Sequence, residues 1–331
     1  MKFEIKAYCM HELGSRKNQE DSLYPLPLDL TDGARCFVLC DGMGGHDSGE
    51  VASDAVCRAL GACADSRNDG REPFAYSDFC EALDSAYDAL DARDTFATKK
   101  MGTTMTFLAL HSGGCMIAHI GDSRVYHLRP GCGILFETYD HSLVNAMLMS
   151  GELTEESAKT FDRKNVITRV MQPNLEYRSR ADVKTIRDIR PGDYFFMCSD
   201  GVNEVMESSD IADVLLDGSL GDADKMRIIK ERTEDANDNH TAFLIRVIGV
   251  EGEAPAPASS SILQDDDDNE GVWEPVNGKA PVFGNRREPS AVEQDAVTGA
   301  AGISSSRKLM PLLLALLCVS AVAAAVFEMV G

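Results

Sequence analysis

Residues 36–45 read Cys36-Phe37-Val38-Leu39-Cys40-Asp41-Gly42-Met43-Gly44-Gly45. Five apolar residues run directly into an aspartate set among glycines. A short, fully apolar run of this kind suits a central strand. The Asp-Gly pair that ends it places a carboxylate at the strand terminus.

The same arrangement recurs along the chain. Tyr194 to Cys198 is an apolar run ending in Ser199-Asp200-Gly201, and Met116 to Ile120 ends in Gly121-Asp122-Ser123-Arg124. Asp238-Asn239 precedes the apolar run Ala242 to Ile248, and Glu20-Asp21 follows a short polar segment. Phe3, Ile5 and Ala7 alternate with polar neighbours as in a strand with one buried face. Thr103 to Leu110 and Val125 to Leu128 also read as strands. Ser48 can cap a helix with Val51, Ala55, Ala59 and Cys63 on one face. Ser77 can cap another with Phe79, Leu83, Ala86 and Leu90. Further helices are predicted over Leu143 to Met149, Asp210 to Leu216 and Ala223 to Glu234. Short turns join many of the strands, and helices fall between blocks of strands. This predicts an α+β layered sandwich with largely antiparallel sheets rather than a doubly wound parallel sheet.

The 331 residues carry 54 acidic against 32 basic side chains, a net charge of −22. That balance argues against nucleic-acid binding, which needs clustered Lys and Arg, and is compatible with a protein that gathers cations. The ten cysteines form no CxxC pair, and several sit inside apolar runs, as Cys36 and Cys40 do. They read as buried, reduced thiols, which points to a reducing cytoplasm. The mixed segment Met1 to Met10 does not read as a signal peptide.

Residues 1–249 are expected to form one folded domain. Beyond it the composition changes: residues 250–306 are rich in Pro, Ala and Ser around the acidic run Asp265 to Asp268, and are expected to be a disordered tether. Leu309 to Phe327 carries no charge and at helical rise spans roughly 28 Å, close to the thickness of a bilayer core. It is predicted to be a transmembrane helix. Arg307 and Lys308 on its near side predict a single-pass protein of the cell membrane with the domain in the cytoplasm.

Any one Asp-Gly pair is an ordinary tight turn. The series has a different meaning, because carboxylates at several strand ends can converge on one point. Unpaired, they would repel and raise one another's pKa. A hard divalent cation removes that cost, and oxygen ligands suit magnesium and manganese. Gly42 lets its own carbonyl approach such an ion without a side chain in the way.

Seven segments stand in order: Arg16-Lys17-Asn18-Gln19-Glu20-Asp21, Asp41-Gly42-Met43-Gly44-Gly45-His46, Gly102-Thr103-Thr104, Gly121-Asp122-Ser123-Arg124, Asp140-His141-Ser142, Ser199-Asp200-Gly201 and Asp238-Asn239-His240-Thr241. From about residue 3 to 248 the chain resembles the protein phosphatase 2C family of metal-dependent phosphatases, in particular its bacterial, membrane-anchored branch. The resemblance implies a four-layer sandwich, two antiparallel sheets face to face with helices outside, and a centre of two manganese or magnesium ions. It implies that Asp41 bridges both ions, that the Gly42 carbonyl binds one, and that Asp200 and Asp238 bind the other. Glu20 and Asp21 are expected to hold bound waters, with Glu20 also able to ligate directly. Asp122 matches the aspartate of a weaker third site, and Arg16 the arginine that grips the substrate phosphate. Asp41, Asp200, Asp238 and Arg16 are thus the expected catalytic set. The ions would ready a water for attack on phosphorus, so Ser199 and Ser142 are read as structural.

The pattern departs from the family at two points. Met43 stands where the eukaryotic branch has a histidine, with His46 read as a loop group, and Asn18 falls one position early. Asp140 to Met171 resembles the family's flap, whose ends His141 and Arg169 are expected to fix. The expected activity is hydrolysis of phosphoserine and phosphothreonine in proteins, opposing a bacterial-type Ser/Thr kinase. The alternatives are action on one dedicated phospho-regulator, or an inactive membrane scaffold that binds metal or phosphoprotein.

Overall fold

The computed structural model describes residues 1–44, 48–94, 100–158, 161 and 166–252. The predicted transmembrane helix and all but the first three residues of the predicted tether lie outside these, as does His46. Among the described residues no helix is long and apolar enough to cross a membrane.

Eleven strands and seven helices follow one another along the described chain. β1 (Lys2–Glu12), β2 (Asp21–Tyr24) and β3 (Cys36–Met43) precede the helices α1 (Ser48–Arg67) and α2 (Tyr76–Asp91). Then come β4 (Gly102–Thr103), β5 (Met105–His111), β6 (Gly114–Ile120), β7 (Arg124–Arg129) and β8 (Gly133–Glu137). Two short helices, α3 (Leu143–Ser150) and α4 (Glu155–Ala158), lead to β9 (Asp182–Ile186) and β10 (Tyr194–Cys198). The chain continues through α5 (Asp200–Asn203), α6 (Ser208–Leu216) and α7 (Asp222–Arg232) into β11 (His240–Glu251). One sheet has the order β1-β11-β10-β7-β8, and the other β2-β3-β5-β6-β9 with β4 paired to β3. Every strand pairing is antiparallel.

Period-two alternation explains the layering. In β3, Phe37 and Leu39 pack with Leu108, Ile117, Phe195, Met197, Phe243 and Ile245, which fills the space between the sheets. Cys36, Val38 and Cys40 point the other way and pack under Val56, Leu60, Phe79 and Leu90 of α1 and α2. β10 is divided likewise: Tyr194, Phe196 and Cys198 turn outward to meet Ile211, Leu215, Met226 and Ile229 of α6 and α7. Both strands are therefore apolar on both faces, which is why they read as continuous apolar runs. The ring centroids of Phe37 and Phe243 stand 5.4 Å apart, edge to face, across the sheets. The predicted sandwich of two antiparallel sheets flanked by helices is what the described residues form.

Local boundaries differ for identifiable reasons. Thr103 to Leu110 is not one strand but β4 and β5, because Thr104 turns to serve Asp41: its N–H donates to the Asp41 carbonyl at 2.8 Å and its Oγ1 accepts the Asp41 N–H at 3.0 Å. α2 starts at Tyr76 rather than after a Ser77 cap, since the Asp78 carboxylate accepts the Ala75 N–H at 2.8 Å and closes the first turn there. α1 takes in Ser48 as its first residue. The sequence does not predict β2, β8 and β9 as strands, and it reaches β4 only through Thr103.

Candidate metal centre

The site lies where the two sheets meet at one end. Asp41 lies near the end of β3, and its register partner on β2 is Asp21. From the other sheet, β10 runs through Ser199 into α5, which begins with Asp200, and the turn before β11 carries Asp238. Asp122 sits in the turn between β6 and β7. Ser199 ties the sheets together: its Oγ donates to Asp21 Oδ2 at 2.8 Å and accepts the Thr241 N–H at 3.0 Å. The Ser199 N–H donates to the Thr241 carbonyl at 3.0 Å. Ser199 is thus a structural residue.

The electrostatics follow from burial and crowding. Burial pushes the Asp41 carboxyl well above the usual carboxylate range, reinforced by Asp21, Asp200 and Asp122. Asp21 is 4% exposed, and burial lifts it to about 8, with Asp200 and Asp238 adding and the bonds from Thr241 and Ser199 opposing. Asp122 is pushed up to about 7 by burial, then by Asp200 and Asp140. Asp200 is raised by burial and by Asp238, against a hydrogen bond with Asp41 and the charge of Arg16. Carboxylates from five separate segments thus influence one another directly.

Arg16 reaches the same place from the loop after β1. Its guanidinium pairs with the Asp238 carboxylate, and its Nε donates to the Asn237 carbonyl at 3.3 Å. Glu20 donates its N–H to Asn239 Oδ1 at 2.8 Å and accepts the Gly42 N–H on its carbonyl at 3.0 Å. Its carboxylate lies against Gly49 in the first turn of α1, where a Cβ would fall 2.7 Å from Glu20 Oε1. A helix N-terminus favours a negative charge there. Gly42 is enclosed: a Cβ on it would come within 2.2 Å of the Gly49 carbonyl oxygen and 2.5 Å of the Glu20 carbonyl oxygen. No other residue type fits at that position. The structure therefore gathers Arg16, Glu20, Asp21, Asp41, Gly42, Asp122, Asp200 and Asp238 in one region.

The donor set fits divalent cations. Asp122 Oδ1 and Asp200 Oδ1 are buried and have no hydrogen-bond partner among the described residues. A buried carboxylate oxygen without a partner is costly unless an ion fills the gap. An all-oxygen set suits magnesium or manganese.

A second cluster lies nearby at the base of the predicted flap. Ligand atoms of His119, His141 and Asp182 stand within 4.8 Å of one another. Their geometry is that of an ion-pair latch. The two imidazoles are stacked with centroids 4.5 Å apart and planes 12° from parallel, so no single ion lies in both ring planes. Arg169 already holds Asp182 Oδ1 at 2.7 Å, and Asp182 Oδ2 sits 3.3 Å from His141 Nε2. His141 Nδ1 accepts the Gly121 N–H at 3.1 Å, and the Thr168 N–H donates to the His141 carbonyl at 2.7 Å. His141 and Arg169 thus join both ends of the flap to β6 and β9. Asp182 and His119 were not singled out in the sequence, where neither lies in a recurrent pattern. Arg124 was not singled out either: its Nε and second terminal nitrogen grip both oxygens of Asp140, at 2.6 and 2.7 Å.

The family model for protein phosphatase 2C matches residues 13–233. The chain belongs to the protein phosphatase 2C family. It is similar to the serine/threonine protein phosphatase PstP of Mycobacterium tuberculosis, 29% identical over 278 residues that cover 82% of this chain and 51% of that protein. It thus spans about half the length of that relative. It is 33% identical over 220 residues to the protein phosphatase PhpP of Streptococcus pneumoniae, covering 64% of this chain and 86% of the relative. A crystal structure of the catalytic domain of PstP in complex with 2 manganese ions superposes with a TM-score of 0.60 at 28% identity, over 74% of this chain and 99% of that one. The two-sheet fold is therefore the phosphatase 2C fold, and the cluster of carboxylates between its sheets is suited to the pair of divalent ions seen in that relative.

Proposed function

We propose that the chain is a metal-dependent phosphatase that hydrolyses phosphoserine and phosphothreonine in proteins. The observation that carries this reading is the convergence of Asp21, Asp41, Asp122, Asp200 and Asp238 on one half-buried region, with two buried carboxylate oxygens left without partners among the described residues. Asp41, the Gly42 carbonyl, Asp200 and Asp238 would hold two manganese or magnesium ions. Glu20 and Asp21 would hold the surrounding waters, and Asp122 would serve a weaker third ion. When bound, such ions supply positive charge and an activated water for in-line attack on phosphorus. Arg16, half exposed at the edge of the cluster, offers a planar fork of donors to a phosphate. Ser199 ties Asp21 to the start of β11, so the carboxylates keep their spacing. The test is manganese-dependent turnover of p-nitrophenyl phosphate and of a phosphothreonine peptide. A chain that binds manganese but turns over neither is not the enzyme argued for.

The physiological partner proposed is a phosphoprotein pool maintained by a Ser/Thr kinase. Residues 309–327 are proposed to anchor the chain to the cell membrane, with the domain cytoplasmic, on the strength of their apolar length and the flanking Arg307 and Lys308. Removal of residues 307–331 is expected to move the protein from the membrane fraction to the soluble fraction with turnover intact. Full activity loss on that truncation contradicts the tether reading, and a truncated protein that stays in the membrane fraction contradicts the anchor.

A further inference from the structure

Asn239 is 3% exposed and spends its whole side-chain amide on one loop. Its Oδ1 accepts the Glu20 N–H at 2.8 Å, and its Nδ2 donates to the Leu13 carbonyl at 2.9 Å and the Asn18 carbonyl at 3.1 Å. That loop, residues 13–20, carries Arg16 and Glu20 and lies more than two hundred residues earlier in the chain. Asn239 also adjoins Asp238, whose Oδ1 accepts the Asn239 N–H at 2.8 Å and whose carboxylate pairs with Arg16. The loop and the Asp238 turn are thus held together through one buried amide.

The chemistry at this position needs that amide. It must accept one bond and donate two within a short reach, which asparagine does. An aspartate there would set one carboxylate oxygen, in place of Nδ2, against both the Leu13 and Asn18 carbonyls and add a charge beside Asp238. A second contact fixes the same loop. Gly14 has φ +58°, and a Cβ on it would fall 2.2 Å from the Asp238 carbonyl oxygen. The Ser15 N–H donates to the Ala236 carbonyl at 3.1 Å.

We propose that Asn239 is a positioning residue: through the 13–20 loop it sets the Arg16 guanidinium against the phosphate that occupies the site beside Asp238. This rests on the phosphatase reading above. Asn239 touches no substrate; it acts by fixing where Arg16 stands, and displacement of a positioned charge by about an ångström costs on the order of a hundredfold at most.

The experiment uses the full chain with manganese and measures inhibition by inorganic phosphate, with kcat and KM on a phosphothreonine peptide. Asn239→Ser and Asn239→Asp are made in the wild-type and Arg16→Ala backgrounds. Asn239→Ser is expected to raise the phosphate inhibition constant and KM about tenfold with a smaller effect on kcat, and Asn239→Asp to raise them further. In the Arg16→Ala background neither substitution should raise the constant again. An unchanged constant, or an equal rise in both backgrounds, overturns the proposal. Should Asn239→Ser not fold, Gly14→Ala displaces the same loop from the Asp238 turn. The same Arg16-dependent rise is then expected, and its absence, or failure of Gly14→Ala to fold as well, also overturns it. Absence of turnover by the wild-type chain bears on the phosphatase reading instead, since phosphate binding to manganese-loaded protein is still measurable by calorimetry.

Discussion

Asp21 and Asp41 stand opposite one another as register partners across β2 and β3, and burial drives both carboxyls far above the ordinary range. A buried acid facing a half-buried one on the neighbouring strand destabilises a sheet unless something neutralises the pair. Their place at the meeting of the two sheets makes them the most direct indication of a cation site.

The first prediction follows from the sign of those shifts. A carboxyl whose folded pKa is raised binds its proton more tightly in the folded state, so its contribution is fully present below the unfolded value near 3.8 and is lost as pH rises through the folded value, about 8 for Asp21. In chelator, the thermal midpoint should therefore fall between pH 5 and pH 8, and added manganese should restore it most at pH 8. Asp41→Asn should reduce turnover by about a thousandfold and raise the midpoint in chelator by relieving repulsion. A manganese-induced stabilisation of the Asp41→Asn protein equal to wild type counts against the site.

Arg16→Lys tests the fork. Lysine keeps the charge but loses the planar, two-point grip on a phosphate. KM for a phosphothreonine peptide is expected to rise about tenfold, equivalent to about 1.4 kcal/mol of a charge-assisted contact. Steady-state kinetics that match wild type remove Arg16 from the phosphate site.

Phe37→Ala tests the sandwich core. Phe37 is fully buried between the sheets, edge to face with Phe243. Truncation should cost about 4 kcal/mol and lower the thermal midpoint by roughly 10 °C. Turnover below the transition should persist. A change of less than a degree is incompatible with the packing.

Asp193→Asn tests a buried ion-pair network at the end of β10 opposite the site. Asp193 is fully buried and accepts from His127 at 2.9 Å and from Arg129 at 2.7 Å. Burial raises its pKa, but the Arg129 and His127 bonds outweigh that and hold it near 2. Its contribution is therefore present above the unfolded value and is lost as pH falls through the window from about 4 to about 2. The substitution should cost about 3 kcal/mol at neutral pH and flatten acid unfolding in that window. Denaturant midpoints at pH 7 and pH 3 measure both effects, and identical acid profiles for the two proteins refute the assignment.

The strand ends were legible because they need only local information. The apolar runs before Asp41, Asp122 and Asp200, and the one after Asp238, mark buried strands by composition alone. β2 was not legible, since four residues between a polar segment and Pro25 carry too little pattern, and the exposed flanks of β8 and β9 blur their alternation. The partners were not legible either. Ser199 and Asn239 look like ordinary turn residues and Thr104 like a strand residue, and their roles depend on which groups the fold brings to them.

By itself the sequence determined the residue types, their order, and the two-faced apolar strands that force a layered sandwich, because side-chain alternation and turn chemistry act over a few residues. Only the tertiary structure decided that Asp21, Asp41, Asp122, Asp200 and Asp238 share one half-buried region and that two of their buried oxygens are left without partners among the described residues. The cost of gathering like charges together exists only when segments more than two hundred residues apart are packed side by side, and it is that cost which makes a cation the fitting occupant.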